Sequence, residues 1–188
     1  FLLMCPLGLM LLNLNAQSKK EVAALLDEYE QLMLNREWKK SMDYMYPTLF
    51  DIVPREMMEN AIVTTFSDTS VLKMAIVELE LIEVGEIKKD DTVSYAFAQY
   101  EMVMTMSMTN NLSEDFMATL KAQMAGQYGD ENVWSVGKTL FIMTNNRIAV
   151  MKNIGEDRLY MLEIKPELKV IMEQMMSQQF LADAYPND

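Results

Sequence analysis

The sequence predicts an α+β fold in which N-terminal helices pack on a strongly bent antiparallel sheet, with one inserted helix and a C-terminal helix. Three observations predict it. Apolar residues recur at helical spacing over residues 18–66, and β-branched and aromatic residues are frequent in residues 71–108 and 132–164. The helical run precedes the strands instead of alternating with them, which is typical of α+β proteins.

The composition predicts one packed domain. The chain has 188 residues, of which 51% are hydrophobic and 23% are charged, with only 6 glycines and 5 prolines. A chain of this length and composition buries a sizeable core. We therefore expect a single α+β domain over residues 17–188.

Residues 1–16 differ from the rest of the sequence. The run FLLMCPLGLMLLNLNA is uncharged and apolar, and it ends in Asn15-Ala16 before the polar QSKKE. This pattern is typical of a secretory signal peptide whose basic start is missing, and it is shorter than the about 20 apolar residues of a membrane span. We expect cleavage after Ala16, no stable membrane span after cleavage, and an exported protein in the periplasm or outside the cell.

The residue types and the charge disfavour several function classes. The chain has no histidine, and its single cysteine, Cys5, lies in the predicted signal peptide. Triads that need histidine or cysteine, and zinc sites of the same kind, therefore lack their side chains. The net charge of −12 and the absence of a basic block disfavour nucleic acid and anionic membranes. No glycine-rich phosphate loop is present, and we expect no cofactor.

Three helical segments are expected before the strands. Ser18 and Glu21 have the spacing of a capping box, which predicts that the first helix begins at Ser18. A second apolar stripe covers residues 38–49 and is interrupted near Pro47, because the residue before a proline avoids helical geometry. Pro54 is well placed at the start of a third helix.

The strands follow. The runs VLKMAIVELELIEVGEI and TVSYAFAQYEMVMTMSM flank a polar KKDD and predict a long antiparallel hairpin over residues 71–108. Ser113 is expected to cap the inserted helix, which ends near Gln127. Asn145-Asn146 are expected to form a two-residue turn between two later strands, because asparagine tolerates positive φ. RLYMLEI reads as one more strand, and Pro166 begins the C-terminal helix.

This order of elements resembles the cone-shaped, cystatin-like fold shared by ketosteroid isomerase and nuclear transport factor two. The resemblance is carried by the helical run NREWKKSMDYMYPTLF, the long hairpin and the run YGDENVWSVGKTLFIMTNNRIAVMKNIGEDRLYMLEI. The order of elements is also similar to that of a group of exported, uncharacterised bacterial proteins. It implies a cavity for a small hydrophobic ligand, and a homodimer through the outer face of the sheet. The inserted helix departs from the minimal fold.

In the isomerases of this superfamily a carboxylate removes a proton, and no motif of theirs matches here residue by residue. Asp43 and Tyr44 lie on the second helical segment, and Glu101 lies mid-strand beside Val103 on its own face. A carboxylate buried there has a raised pKa and is a candidate base. The catalytic candidates are therefore Asp43, Tyr44 and Glu101. The alternative is that both carboxylates are solvated.

Large apolar side chains of the helices and of the second long strand suggest a ligand pocket within the core. Side chains of this kind line small-molecule sites, and they equally form ordinary core clusters. The candidate ligand-binding residues are Tyr29, Trp38, Met42, Met45, Met102 and Met104.

Methionine occupies every second position in the stretch YEMVMTMSMTN. Alternation places these side chains on one face of a strand, and thioethers are ligands that Cu(I) prefers. The chain has 20 methionines spread over most predicted elements, so core packing explains the row better than a metal site does, and we expect the row to face inward. The metal candidates are Met102, Met104, Met106 and Met108.

The sequence favours an exported, non-enzymatic binding or accessory module whose ligand it does not identify. One alternative is an isomerase-like enzyme that uses a buried carboxylate. Another is a protein that binds Cu(I) through methionine.

Overall fold

The computed structural model describes residues 7–66, 72–90, 92–108 and 114–186. The described residues form seven α-helices and a six-stranded antiparallel sheet that does not close into a barrel. The helices are α1 (Leu7–Leu34), α2 (Trp38–Ser41), α3 (Leu49–Ile52), α4 (Arg55–Phe66), α5 (Glu114–Tyr128), α6 (Lys169–Met172) and α7 (Gln178–Ala184). The strands are β1 (Leu72–Val84), β2 (Lys88–Lys89), β3 (Val93–Met108), β4 (Val133–Val136), β5 (Thr139–Asn153) and β6 (Tyr160–Glu163). The α+β prediction is confirmed.

The strand order is β1-β3-β5-β4, with β2 paired to β3 and β6 paired to β5. The long hairpin predicted over residues 71–108 is confirmed as the pairing of β1 with β3, with β2 next to its tip. Two register shifts interrupt the pairing in β1, between Ile76 and Glu78 and between Leu81 and Glu83. Such bulges bend a strand and increase its twist, so the sheet is curved and compatible with a cone-like fold.

Helix α1 begins at Leu7, so the prediction that the first helix begins at Ser18 is wrong. The stretch from Leu7 to Ser18 contains several leucines and no proline, and leucine is a strong helix former. Residues 1–6 of the predicted signal peptide lie outside the described residues, and so does Ser113, the expected cap of the inserted helix.

Two predicted helices are divided into shorter pieces. The second consists of α2, a 3₁₀ turn at Met42–Tyr44 and α3, with the break near Pro47 that the sequence predicts. The C-terminal helix consists of a 3₁₀ turn that begins at Pro166, followed by α6 and α7. Ser177 caps α7, because its hydroxyl accepts a hydrogen bond from the Phe180 backbone N–H at 3.1 Å.

The two-residue turn predicted at Asn145 and Asn146 is wrong. Strand β5 runs through both asparagines, because it pairs with β3 along its whole length. The chain instead turns between β4 and β5 at Gly137 and Lys138, where Gly137 has φ of 59°. Glycine adopts this left-handed conformation without a Cβ clash, which makes it the better turn residue.

One face of the sheet, here called the inner face, packs against α1, α4 and α5. It carries Ala98, which is fully buried, and the alternating methionines of β3. Met106 belongs to the cluster beneath α5, while Met102 and Met104 contact the clusters beneath α1, α4 and α5. The expectation that this row points inward is confirmed.

The opposite face is covered at the hairpin end by the C-terminal helices. Tyr95 and Met151 of the sheet pack there against Phe180 of α7, and all three are nearly or fully buried. The C-terminal helices therefore pack on the face opposite to α1 and α5. The apolar residues of the chain's last helical segment need a surface to cover, and the odd-numbered positions at the start of β3 supply it.

Polar contacts fix α7 in this position. The Tyr95 hydroxyl donates a hydrogen bond to Asp183 Oδ2 at 2.7 Å, and Lys88 Nζ lies 2.6 Å from Asp183 Oδ1. The Arg147 guanidinium donates to the Ala184 carbonyl at 2.6 Å. Helix α7 is thus tied both to the hairpin tip and to the middle of β5.

Candidate functional site

Beyond the C-terminal helices, the outer side of the sheet carries partly exposed side chains around a concavity of about 290 Å³. We call this surface the open face. It is formed by Val77, Glu78, Glu80, Glu101, Val103, Trp134, Phe141 and Met143, together with Asn145, the cross-strand partner of Glu101. Its curvature follows from the β1 bulges, because Val77 is the extra residue at one of them.

The part of the open face next to β4 is apolar. Trp134 stacks on its cross-strand partner Phe141, with ring centroids 5.3 Å apart and an interplanar angle of 9°. Trp134 is 38% exposed and Val77 is 45% exposed. An aromatic pair with this exposure, beside further apolar side chains, is typical of an interaction surface.

The part of the open face next to β1 is acidic. Glu80 pairs directly with Glu101, and Glu78 pairs with Val103, so all three carboxylates project from the same face. None of the three forms an ion pair with another described residue. Like charges directly opposite each other destabilise a sheet. The open face therefore combines an apolar platform with negative charge that the described part of the chain does not neutralise.

Strand β5 has an unpaired segment beside the open face. On the edge of β5 away from β3, β4 pairs with residues 139–142 and β6 pairs with residues 148–151. Neither strand pairs with residues 143–146. We call this segment the β5 gap. The last contact on the β6 side is the Ile164 N–H, which donates to the Arg147 carbonyl at 2.8 Å. None of the side chains in the gap is buried.

A second concavity of about 330 Å³, with both polar and apolar side chains in its lining, lies at one end of the gap. Its lining includes Gln99, Asn145, Asn146, Arg147 and Lys165. The Arg147 guanidinium is already engaged, because it binds main-chain carbonyls of α7 and lies 4.2 Å from the Phe97 ring centroid. The amide side chain of Asn145 is exposed at this end.

Two of the predicted ligand-binding residues meet at a small cavity on the inner face. Tyr29 and Met45 line a space of about 40 Å³ together with Tyr100 and Glu163. Burial raises the pKa of Tyr29 and of Tyr100, and the negative charge of Glu163 raises both further. This volume holds one or two water molecules, whereas ligand pockets are typically about 300–1,000 Å³.

The other predicted ligand-binding residues lie in core clusters. Trp38 stacks on Phe66 with ring centroids 5.0 Å apart, and Met102 and Met104 contact the same cluster. Met42 is fully buried. The structure therefore does not bring the six predicted residues together around one pocket.

The predicted metal ligands Met102, Met104 and Met106 contact apolar side chains of the inner face, and Met108 is half-buried at the end of β3. This packing accounts for the row without an ion, and Cu(I) binding stays a prediction. Among the described residues, histidine, cysteine and carboxylate side chains form no group of three or more suited to a metal.

The catalytic candidates lie in two separate places, Asp43 and Tyr44 side by side in a 3₁₀ turn and Glu101 on the sheet. Asp43 is half-exposed and forms an ion pair with Arg55 at 2.7 Å. The Tyr44 hydroxyl donates to Glu28 Oε2 at 2.8 Å. The pKa of Tyr44 is raised mainly by burial and further by this hydrogen bond. Glu101 lies on the open face, across the sheet from these helical residues. The three do not form one catalytic group.

Sequence reasoning missed the side chains that distinguish the open face, above all Trp134, Phe141 and Asn145. One signal was present, because Phe141, Met143 and Asn145 alternate in a single strand once β5 is not divided at the asparagines. No described helix is long and apolar enough to cross a membrane. No protein-family model matches the sequence, and no curated protein shows significant similarity to it.

Proposed function

We propose that this protein is a binding module that docks a basic, partly apolar segment of another protein on the open face of its sheet. The observation that carries the proposal is the exposed Trp134–Phe141 stack beside Glu80 and Glu101, which have no cationic partner among the described residues. Aromatic residues at the centre of an interface supply most of its binding energy. The predicted export would place the partner in the periplasm or outside the cell.

Charge decides which kind of partner fits. A lysine or arginine placed beside Glu80 and Glu101 relieves their mutual repulsion and speeds association. A second copy of this chain would instead bring another acidic surface toward these carboxylates, since the net charge is −12. The open face therefore favours a basic partner over self-association.

Size favours the open face over the inner cavity as the binding site. The concavity of the open face is about 290 Å³, and the second concavity at the β5 gap adds about 330 Å³ next to it. The cavity at Tyr29 is about 40 Å³. A small hydrophobic ligand would have to displace core side chains to enter it.

Peptides of defined sequence test the proposal. We expect a fluorescent lysine–valine peptide, in which a central run of valines is flanked by lysines, to bind the full chain, and a glutamate–valine peptide of the same layout not to bind. Trp134→Ala should weaken binding about tenfold or more, because it removes the exposed half of the aromatic stack. Binding should also weaken as salt is added.

A matched variant distinguishes the open face from exposed apolar surface elsewhere on the protein. Ile154→Ala removes a side chain that is 63% exposed and lies after β5, outside the open face, and it should leave peptide affinity unchanged. Sedimentation of the free protein reports self-association in parallel. Equal affinity for the basic and the acidic peptide, or a dimer that Trp134→Ala dissociates, would contradict the proposal.

A further inference from the structure

The β5 gap exposes main-chain groups as well as side chains. In an antiparallel sheet, successive residues of a strand direct their N–H and C=O groups to opposite neighbouring strands, so every second residue faces the same neighbour. Because the Arg147 carbonyl faces β6, the groups of Asn145 and Met143 face the same side. The Val133–Ile142 pair at the end of β4 is of the non-hydrogen-bonded type, which places the Met143 N–H against the Asn132 carbonyl. The groups that neither β4 nor β6 pairs with are therefore the Met143 carbonyl and the N–H and carbonyl of Asn145, which lie in a row beside the open face.

Resting on the proposed function, we infer that the docked segment is extended and adds to the sheet as a short strand at the β5 gap. Its main chain exchanges hydrogen bonds with Asn145 and donates one to the Met143 carbonyl. The gap covers residues 143–146, or about 13 Å of strand, which accommodates three or four residues of a partner. Strand addition of this kind draws affinity from main-chain bonds and specificity from alternate side chains.

The geometry of an added strand selects the sequence of the partner. Successive side chains of a strand point to opposite faces. Every second side chain of the added strand would therefore project on the side of the open face, near Met143 and the Trp134–Phe141 stack. Of the three carboxylates, Glu101 is the nearest to the added strand, because it lies on β3 across from Asn145, whereas Glu78 and Glu80 lie on β1. The fitting segment has apolar side chains at alternate positions and lysine or arginine around them.

The free edge of β1 offers a contrast. There the Leu79 N–H already donates to Glu30 Oε1 of α1 at 3.1 Å, and two bulges disturb the strand. Charged residues and bulges of this kind protect a sheet edge against pairing with other chains. The β5 gap carries neither protection, so an added strand pairs with β5 and not with β1.

The two asparagines in the gap support the same inference. Asparagine is depleted from strands, yet Asn145 and Asn146 stand in the middle of β5. Local sequence that conflicts with the fold is expected at functional sites. The Asn145 amide is exposed at the gap, where it has both donor and acceptor groups for a neighbouring main chain.

N-methylation of the peptide tests this inference without changing the protein. A set of lysine–valine peptides, each methylated at one main-chain nitrogen, is titrated against the full chain. If a strand is added, methylation should weaken binding about five- to tenfold at alternate positions and have little effect at the positions between them, because only alternate N–H groups face β5.

The outcomes distinguish this inference from the proposed function. A period of two in the affinities supports strand addition. Uniform tolerance of methylation, with the parent peptide still bound, overturns strand addition and leaves docking on the open face in place. Absence of binding by the unmethylated parent peptide overturns the proposed function, and this inference with it.

Discussion

Glu80 lies directly opposite Glu101 in the antiparallel pairing of β1 with β3. Both carboxylates project from the open face, and neither has a cationic partner among the described residues. Such a pair destabilises the free protein, whereas a bound cation between the two removes the repulsion. The same residues are thus expected to oppose folding stability and to favour binding.

Neutralising one member of this pair should separate the two effects. We expect Glu101→Gln to raise the free energy of unfolding by about 0.2–1 kcal/mol, because it removes a like charge directly across the strands. The same variant should weaken binding of the lysine–valine peptide. Chemical denaturation and peptide titration measure the two quantities. Glu83→Gln is the control, since Glu83 faces the neutral Gln99 and should gain less stability. A loss of stability in Glu101→Gln would contradict this account of the pair.

Two exposed glycines should respond to alanine with opposite signs. Gly126 lies within α5 and Gly137 lies in the β4–β5 turn with φ of 59°, and an added Cβ meets no atom within 4 Å at either site. Gly126→Ala should stabilise by about 0.5–1 kcal/mol, because it favours the helix. Gly137→Ala should destabilise by about 1–2 kcal/mol, because alanine is strained in the left-handed region. Thermal unfolding of the two variants measures both changes in stability. Equal changes in melting temperature would contradict a left-handed turn at Gly137.

The contacts of Asp183 should make stability depend on acid. Lys88 and then the Tyr95 hydroxyl lower the pKa of Asp183 below its ordinary value. A carboxyl group whose pKa is lowered by folding stabilises the protein above its ordinary pKa, and that contribution is lost as the pH falls toward the folded-state value. Asp183→Asn should therefore cost about 1–2 kcal/mol at neutral pH and flatten the decline of stability in acid.

The control for this variant is Asp157→Asn. Asp157 forms an ion pair with Lys152 at 3.3 Å, and its side chain is fully exposed, so its removal should leave the acid profile unchanged. Unfolding by urea over a series of acidic pH values measures both variants. The account of Asp183 would be wrong if the two variants had the same profile.

The tyrosines of the inner cavity should limit stability in alkali. Folding raises the pKa of Tyr29 and Tyr100, so the stability that their neutral forms support is present below their ordinary pKa and lost as the pH rises above it. Tyr29→Phe removes one ionisable group and should move alkaline unfolding to higher pH. Ultraviolet titration of Glu163→Gln should show ionisation at lower pH, because a negative charge beside both phenols is gone. Unchanged titration in that variant would exclude Glu163 as a cause.

Local patterns predicted the elements of this fold more completely than its surfaces. The alternation of Met102, Met104 and Met106 identified the inward face of β3, because burial imposes a period of two on a strand. The turn at Asn145-Asn146 was placed wrongly because the long pairing of β5 with β3 outweighs the turn preference of asparagine. Pairing between distant strands also decides where β4 and β6 end, so the β5 gap has no signature in any short stretch of sequence.

Amide hydrogen exchange along β5 tests whether an extended segment docks at the β5 gap. In the free protein we expect the amide of Asn145 to exchange rapidly, because it faces the gap, and those of Thr144 and Asn146 to exchange slowly, because they face β3. Saturation with the lysine–valine peptide should slow Asn145 specifically. Equal protection of these three amides in the free protein, or unchanged exchange at Asn145 in the complex, would contradict a docking site for an extended segment at the β5 gap.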